Sequence, residues 1–339
     1  MDSGDRPPPR VLAIVGPTAS GKSKLSIPLA EALDGEIIST DSRQVYRGMD
    51  VGTDKVGREE RERIPHHGLD LVDPDERYSA GRFARDARRW IEEIEDMGRV
   101  PLLVGGTGFF LRAVVEPLFR EPPLDHGRRE ALRRYLRARP VDELVRWVRK
   151  LDPLRAESVA AGGRQRLSRA LEVALLTGRS LSWWHVNAPA DAPAVPAMVV
   201  QLQLPRGELY RRIDERVERM FEAGFPAEVR ALLEAGYAPD DPGMTGTGYR
   251  EVTEWLRGGI SREEAVRRIQ GATRAYARRQ LTWFRNQLPA DTVEVDARRP
   301  VEKAVEEVLA QWEHRRSVGG VRGMGPGIEA GRSPDSPRS

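Results

Sequence analysis

The 339 residues include 55 Lys and Arg, 52 Asp and Glu, no Cys and 39% apolar residues, for a formal net charge of +3. Zero cysteine excludes disulfide staples, thiolate metal sites and a Cys nucleophile. No run approaches the ~18 apolar residues of a membrane span, and Met1–Arg10 lacks the apolar stretch of a secretory signal, so a soluble cytoplasmic protein is expected.

The length suggests about two domains. Residues 120–180 carry a net charge of +7, which leaves −4 for the rest of the chain. Clustered positive charge suits a polyanionic partner, although an Arg-rich helical face in solvent has the same composition.

Residues 1–10 read as a disordered tail. Val11–Gly16 is a short apolar run, a buried strand, followed by a Gly-rich turn and a helix with Leu25, Leu29 and Leu33 on one face. Pro28 is expected to kink that helix. Glu36–Thr40 is a second strand. Over Ala80–Met97, Phe83, Ala87, Trp90, Ile91 and Ile94 recur at helical spacing, with Ser79 as N-cap and Gly98 as stop. Val100–Gly105 is a third apolar strand. Strands alternating with helices predict an α/β fold with a parallel sheet.

From 120 to 182 the strand signal disappears and helical patterns replace it, among them Leu144/Trp147/Val148/Leu151 and Leu167/Ala170/Leu171/Ala174. Asn187–Pro196 reads as a linker, Met198–Leu204 as a strand and Gly207–Ala223 as a helix. The layout predicts a core made of residues 11–119 and 197–313, interrupted by a helical insertion at 120–196. Ser261 with Glu264 is a capping box opening a helix to Gln287, on which Arg267, Arg274, Arg278 and Arg285 share one face. Thr292–Val295 reads as an edge strand, and 314–339, rich in Gly, Pro and Ser, as a disordered tail.

Gly16-Pro17-Thr18-Ala19-Ser20-Gly21-Lys22-Ser23 fits G-x-x-x-x-G-K-[ST], placed between a strand and a helix as the motif requires. Its backbone N–H groups and the helix N-terminus suit a nucleotide or any other diphosphate. Lys22 adds a point charge and Ser23 a hydroxyl for Mg2+. The strand at 100–104 runs into Gly105-Gly106-Thr107 where an ATPase would place its Mg2+-binding Asp. Asp41 is the acid at the end of an early strand, and Mg2+ ligand, general base and helix N-cap all stay open for it. Thr18 and Thr107 face the same strand-end crevice, where ligands of parallel sheets bind. Arg212 and Arg216, one turn apart, are placed to reach the phosphates unless Glu208 or Asp214 holds them.

Several blocks extend the pattern: ISTDSRQVYRGMDVGTDK (38–55), HHGLDLVDPDERYSAGRFARDA (66–87), VPLLVGGTGFFLRAV (100–114), RQRLSRALEVALLTGRS (164–180), GYRE (248–251) and RRQLTWFR (278–285). With the phosphate loop, and in this order, they resemble the tRNA dimethylallyltransferase (tRNA isopentenyltransferase) family over roughly residues 11–312. The resemblance implies a P-loop NTPase-like parallel sheet with an inserted all-helical domain. It implies transfer of a dimethylallyl group from dimethylallyl diphosphate to N6 of the adenosine just 3′ of the tRNA anticodon, with Mg2+ as cofactor and a monomer as the working unit. Zero Cys predicts no zinc-finger extension of the kind that some eukaryotic members of that family carry.

The resemblance moves Asp41 toward general base, which an amine delocalised into a purine ring needs. Thr18, Lys22, Ser23 and Arg212 become the leaving-group machinery, joined by Arg216 and the rest of 16–23 in holding the diphosphate. A target base flipped from its stack would be read by the loops around it. The family pattern puts tRNA contacts at Asp41, Ser42, Arg43 and Gln44, at Thr107 and Arg129, and at Gln165, Arg166, Leu167, Ser168 and Arg169. It adds Thr247, Gly248 and Tyr249, then Arg278, Arg279, Gln280, Leu281, Thr282, Trp283, Phe284 and Arg285. For Trp283, core packing is the simpler expectation than base stacking. The alternatives are a P-loop small-molecule kinase using Asp41, and a P-loop nucleic-acid binder without prenyl chemistry.

Overall fold

The computed structural model describes residues 7–119, 124–187 and 190–320. The strands are β1 (Val11–Val15), β2 (Gly35–Ser39), β3 (His66–His67), β4 (Val100–Gly105), β5 (Leu118–Phe119), β6 (Ala190–Ala192), β7 (Ala197–Gln203) and β8 (Val293–Asp296). Six of them form one parallel sheet in the order β3-β2-β4-β1-β7-β8. Every residue of β1 and β2 is buried, as expected of parallel strands covered on both faces.

Alternation along the strands sorts the core. Leu12 and Ile14 of β1, Leu102 and Val104 of β4 and Met198, Val200 and Leu202 of β7 share one apolar cluster with Leu25 and Leu29 of the helix Lys22–Ala32 and Val308 and Trp312 of the helix Val301–Gly320. Fully burying a side chain such as Leu29 contributes about 2 kcal/mol. The helix Ala80–Asp96 packs on β2 and β4 and on the helix Gly108–Val115, with Ser79 capping it by accepting the Arg82 N–H. The helix Lys22–Ala32 runs through Pro28 without interruption.

The described residues fall into two compact units, one from the spans Met1–Val115 and Val195–Ser339, the other from Glu116–Ala194. The second unit is helical apart from the antiparallel β5–β6 pair, and its core gathers Leu136, Leu144, Val148, Leu167 and Leu171. Three expectations need correction. The linker at 187–196 contributes β6, because its Ala-rich centre is extended and pairs with β5. The N-terminal tail is tied down before β1: Arg10 donates its N–H to Pro196 and pairs with Glu95. The C-terminal tail does not begin at 314, since the last helix continues to Gly320. Arg315 anchors it to the Asp291 carbonyl at 2.7 Å, and Arg316 lies over the Trp312 ring. The remainder of both expected tails lies outside the described residues.

Candidate active site

The carboxyl ends of β1, β2 and β4 open onto a cleft of about 530 Å³. Its walls are the phosphate loop, the turn after β2, and the helix Arg206–Glu222. The loop turns into its helix at Gly21, whose φ of +92° an L side chain would resist. Thr18, Ala19, Gly21, Lys22 and Ser23 line the cleft, whereas Gly16, Pro17 and Ser20 are buried beneath the turn. Those three shape the cradle and do not face a ligand.

Lys22 donates from Nζ to the carbonyls of Gly16 at 3.1 Å and Pro17 at 3.0 Å, which curls the side chain back over the loop. Burial pushes its ammonium down to about 8; the Asp41 charge opposes this and Arg216 adds to it. Arg216 donates to Thr18 Oγ1 at 2.6 Å and pairs with Asp54 at 3.3 Å. Arg212 also lines the cleft, with Nε bonded to Glu208 at 2.8 Å. The guanidinium groups of Arg211 and Arg212 hold the Glu208 carboxyl down at about 2. Both arginines are therefore oriented by carboxylates while remaining at the cradle.

Asp41 follows β2 by two residues and lines the same cleft. Its Oδ1 accepts the Arg43 N–H at 2.9 Å, a bond that fixes the carboxylate against its own turn. Ser42 donates its N–H to Thr107 Oγ1 at 3.2 Å, and Tyr276 lies beside Thr107. Burial first, then the Asp41 charge, pushes the Tyr276 hydroxyl up to about 12. Gln44 accepts from Ser39 Oγ at 2.8 Å and donates to the carbonyls of Thr53 and Asp54, both at 3.2 Å. Tyr276 carried no motif signal; only the fold brings it beside Thr107.

Several expected tRNA contacts are structural. Gln280 is buried, accepting the Thr18 N–H at 2.9 Å and donating to the Gly106 carbonyl at 2.9 Å. Tyr249 is 1% exposed and donates to Glu228 at 2.7 Å; Gly248 and Phe284 are buried with it. Leu281 joins the cluster of Leu209, Ile213 and Ala277. Trp283 is half-buried, packing against Gly108 and edge-on to Phe284. Gln280 thus ties the helix Arg262–Gln287 to the loops after β1 and β4 while also lining the cleft, and Leu281, like Trp283, is half-buried. Arg43 donates to the Pro242 carbonyl at 2.9 Å, whereas Thr247, Arg278, Arg279, Thr282 and Arg285 are exposed. Of the four-Arg face, Arg267 pairs with Glu264 and Arg274 with Asp214 at 2.5 Å, which leaves Arg278 and Arg285 as its exposed part beyond those ion pairs.

Within the Glu116–Ala194 unit, Arg129 and Arg133 converge on the buried Glu172 at 3.0 and 2.8 Å, with Arg169 at 3.9 Å. Leu167 is wholly buried, and Gln165 and Arg166 are exposed on the same helix, Gly163–Thr177. Trp184 donates to Thr177 Oγ1 at 3.0 Å and meets Trp183 edge-on, so the tandem tryptophans pack locally.

The IPP transferase family matches residues 44–287. The chain belongs to this family. Its resemblance to tRNA isopentenyltransferases, drawn from sequence blocks alone, is thereby established. One member, the tRNA dimethylallyltransferase of Thermomicrobium roseum, is 45% identical over 277 residues, which cover 81% of this chain and 83% of the relative. The enzyme of that name from Geobacter sulfurreducens is 43% identical over 289 residues, 85% of this chain and 93% of the relative. Among solved structures, the full-length tRNA isopentenylpyrophosphate transferase of Bacillus halodurans aligns with a TM-score of 0.66 at 36% identity, covering 91% of this chain and 98% of that one. A eukaryotic dimethylallyltransferase acting on tRNA gives 0.73 at 29% identity, covering 91% and 77%. The parallel six-stranded sheet flanked by helices is thus shared across the family's bacterial and eukaryotic branches.

Proposed function

We propose that this chain transfers a dimethylallyl group from dimethylallyl diphosphate to N6 of the adenosine 3′-adjacent to the tRNA anticodon, releasing diphosphate. The observation that carries the reading is one cleft holding the Asp41 carboxylate, the Lys22 cradle and the two oriented arginines, with Ile37, Val56, Leu69 and Val104 as an apolar portion. A prenyl diphosphate needs that combination of charge and apolar wall.

As the bond between the allylic carbon and its bridging oxygen breaks, the electron pair goes to the diphosphate. N6 supplies the pair for the new C–N bond and its proton passes to Asp41. Charge growing on the leaving group is met by Lys22, Arg212, Arg216 and the amides of the loop. A Mg2+ ion fits the start of the helix, where the Ser23 hydroxyl is exposed at the cleft and ligand oxygens and water would complete its shell. Among the described residues no cluster of three His, Asp or Glu forms an all-protein cage, the usual condition of Mg2+ beside phosphates. When bound, the ion would neutralise part of the diphosphate charge.

Exposed Arg278, Arg279 and Arg285, together with Gln165 and Arg166 of the other unit, are the contacts we assign to tRNA. One chain supplies both base and cradle, so a monomer suffices. No helix among the described residues is long and apolar enough to cross a membrane, and a tRNA substrate supports the cytoplasm as the compartment of the enzyme.

Purified protein, unmodified tRNA and labelled dimethylallyl diphosphate test the reading directly. Label is expected in tRNA without ATP. No transfer, with ATP consumed on a small acceptor, would return the chain to the kinase alternative.

A further inference from the structure

The block Met49-Asp50-Val51-Gly52-Thr53-Asp54 is folded around a residue that no motif marks. Glu228, half-buried on the first turn of the helix Phe225–Glu234, accepts the N–H of Asp50 at 2.7 Å and of Val51 at 2.6 Å through Oε2. Its Oε1 accepts the N–H of Gly52 at 3.0 Å and the Tyr249 hydroxyl at 2.7 Å. Three successive amides converging on an anion is the arrangement by which loops bind phosphate; here the anion is part of the protein. Gly52 is required at this contact. A Cβ there would lie 2.3 Å from the Phe225 ring and 2.5 Å from the Tyr249 hydroxyl.

The far end of the loop is anchored separately, by Lys55 Nζ on the Tyr46 carbonyl at 2.6 Å and the Asp70 carboxylate at 2.5 Å. Between the two anchors lie Thr53 and Asp54, both at the wall of the cleft. Their carbonyls hold Gln44, and the Asp54 carboxylate holds Arg216 against Thr18 of the phosphate loop. Neither Glu228 nor Tyr249 lines the cleft.

We propose that Glu228 is a positioning residue for the prenyl-diphosphate clamp: it fixes residues 50–52 so that Asp54 presents Arg216 to the cradle. This rests on the function proposed above. The carboxylate touches no substrate and acts through two intervening side chains. Misplacing a binding group by a fraction of an ångström weakens a diphosphate site selectively, because its charge-assisted bonds depend on close approach.

The test compares Glu228→Gln, Asp54→Asn and the double variant in the labelled transfer assay, with tRNA affinity and thermal unfolding measured alongside. Glu228→Gln keeps the side chain's size but turns one oxygen into a donor facing donors. The expected result is a rise of about tenfold in KM for dimethylallyl diphosphate with a smaller fall in kcat, because Arg216 also meets the charge growing on the leaving group, and with tRNA affinity within about twofold. The double variant is expected to be no worse than the worse single, since both act on one chain of contacts. An unchanged donor KM, a parallel loss of donor and tRNA affinity, or additive effects in the double variant would each overturn the proposal. Tyr249→Phe, which removes one of the four bonds, is expected to raise the donor KM about two- to threefold. If Glu228→Gln does not fold, Tyr249→Phe replaces it in the cycle with Asp54→Asn, under the same criteria. Failure of the wild type to transfer label would sink the functional reading itself, whereas an active wild type with an indifferent Glu228→Gln variant would sink only this inference.

Discussion

The Gln280 side chain joins the phosphate loop to the turn after β4, accepting the Thr18 N–H and donating to the Gly106 carbonyl, each at 2.9 Å. Gln280 is buried, so removing its amide leaves the Gly106 carbonyl and the Thr18 N–H at the cleft without their partners. Each such group costs about 1–3 kcal/mol. Gln280→Leu is therefore expected to lower stability by about 2–6 kcal/mol in chemical denaturation and to raise KM for the prenyl donor. Gln280→Glu keeps the bond to Thr18 and loses the one to Gly106, so its donor KM is expected to lie nearer the wild type. Equal donor KM values for both variants would detach Gln280 from the loop's geometry.

Lys22 makes a pH dependence with a definite sign. Burial brings its ammonium down to about 8, below the ~10.4 of an exposed lysine. The folded protein thus binds fewer protons than the unfolded chain between those values. The penalty for burying the charge is full below about pH 8 and is relieved as pH rises toward ~10.4. Diphosphate binding runs the other way, because the cradle needs the protonated form. Affinity for dimethylallyl diphosphate is expected to fall about tenfold from pH 7 to pH 9. Calorimetric titration across that range checks it, and Lys22→Met should flatten the profile.

What the sequence disclosed and what it hid follow from distance along the chain. The phosphate loop, the capping of the helix Ala80–Asp96 by Ser79 and the apolar cores of β1, β4 and β7 rest on neighbours within a few residues, so local pattern sufficed. The His66–His67 strand is too short to show alternation, and an Ala- and Pro-rich segment gave no sign of β6. Tyr249 and Gln280 lie in family blocks that suggest substrate contact, yet their partners Glu228 and Thr18 are 21 and 262 residues away. Polar residues tied to distant backbone are indistinguishable from ligand-binding ones until the chain is folded. Charge on the helix Arg262–Gln287 misled similarly, since Asp214, which neutralises Arg274, comes from another helix.

Asp41 is held by the Arg43 N–H at 2.9 Å and shares its surroundings with Lys22 and Tyr276. Asp41→Asn preserves an oxygen to accept that bond while abolishing the base. Turnover is expected to drop by about two to four orders of magnitude, the range for a positioned proton acceptor. tRNA affinity should change little. Single-turnover kinetics with saturating donor isolate the chemical step, and a wild-type rate there would remove Asp41 from the role of base.

The arginines of the helix Arg262–Gln287 do not carry equal weight. Arg267 and Arg274 already face carboxylates, whereas Arg278, Arg279 and Arg285 are exposed along the same helix. Each phosphate contact releases counterions, so its loss lowers the slope of log affinity against log salt by slightly less than one. Replacing Arg278, Arg279 and Arg285 together by Gln is expected to weaken tRNA binding and reduce that slope by about two to three. Replacing Arg267 and Arg274 should reduce it by less than one, because Glu264 and Asp214 already compensate their charge. Filter binding of tRNA from ~50 to 200 mM salt separates the two sets. Equal slopes for both would mean that the intramolecular ion pairs open freely on binding, and the whole four-Arg face would then act as one track.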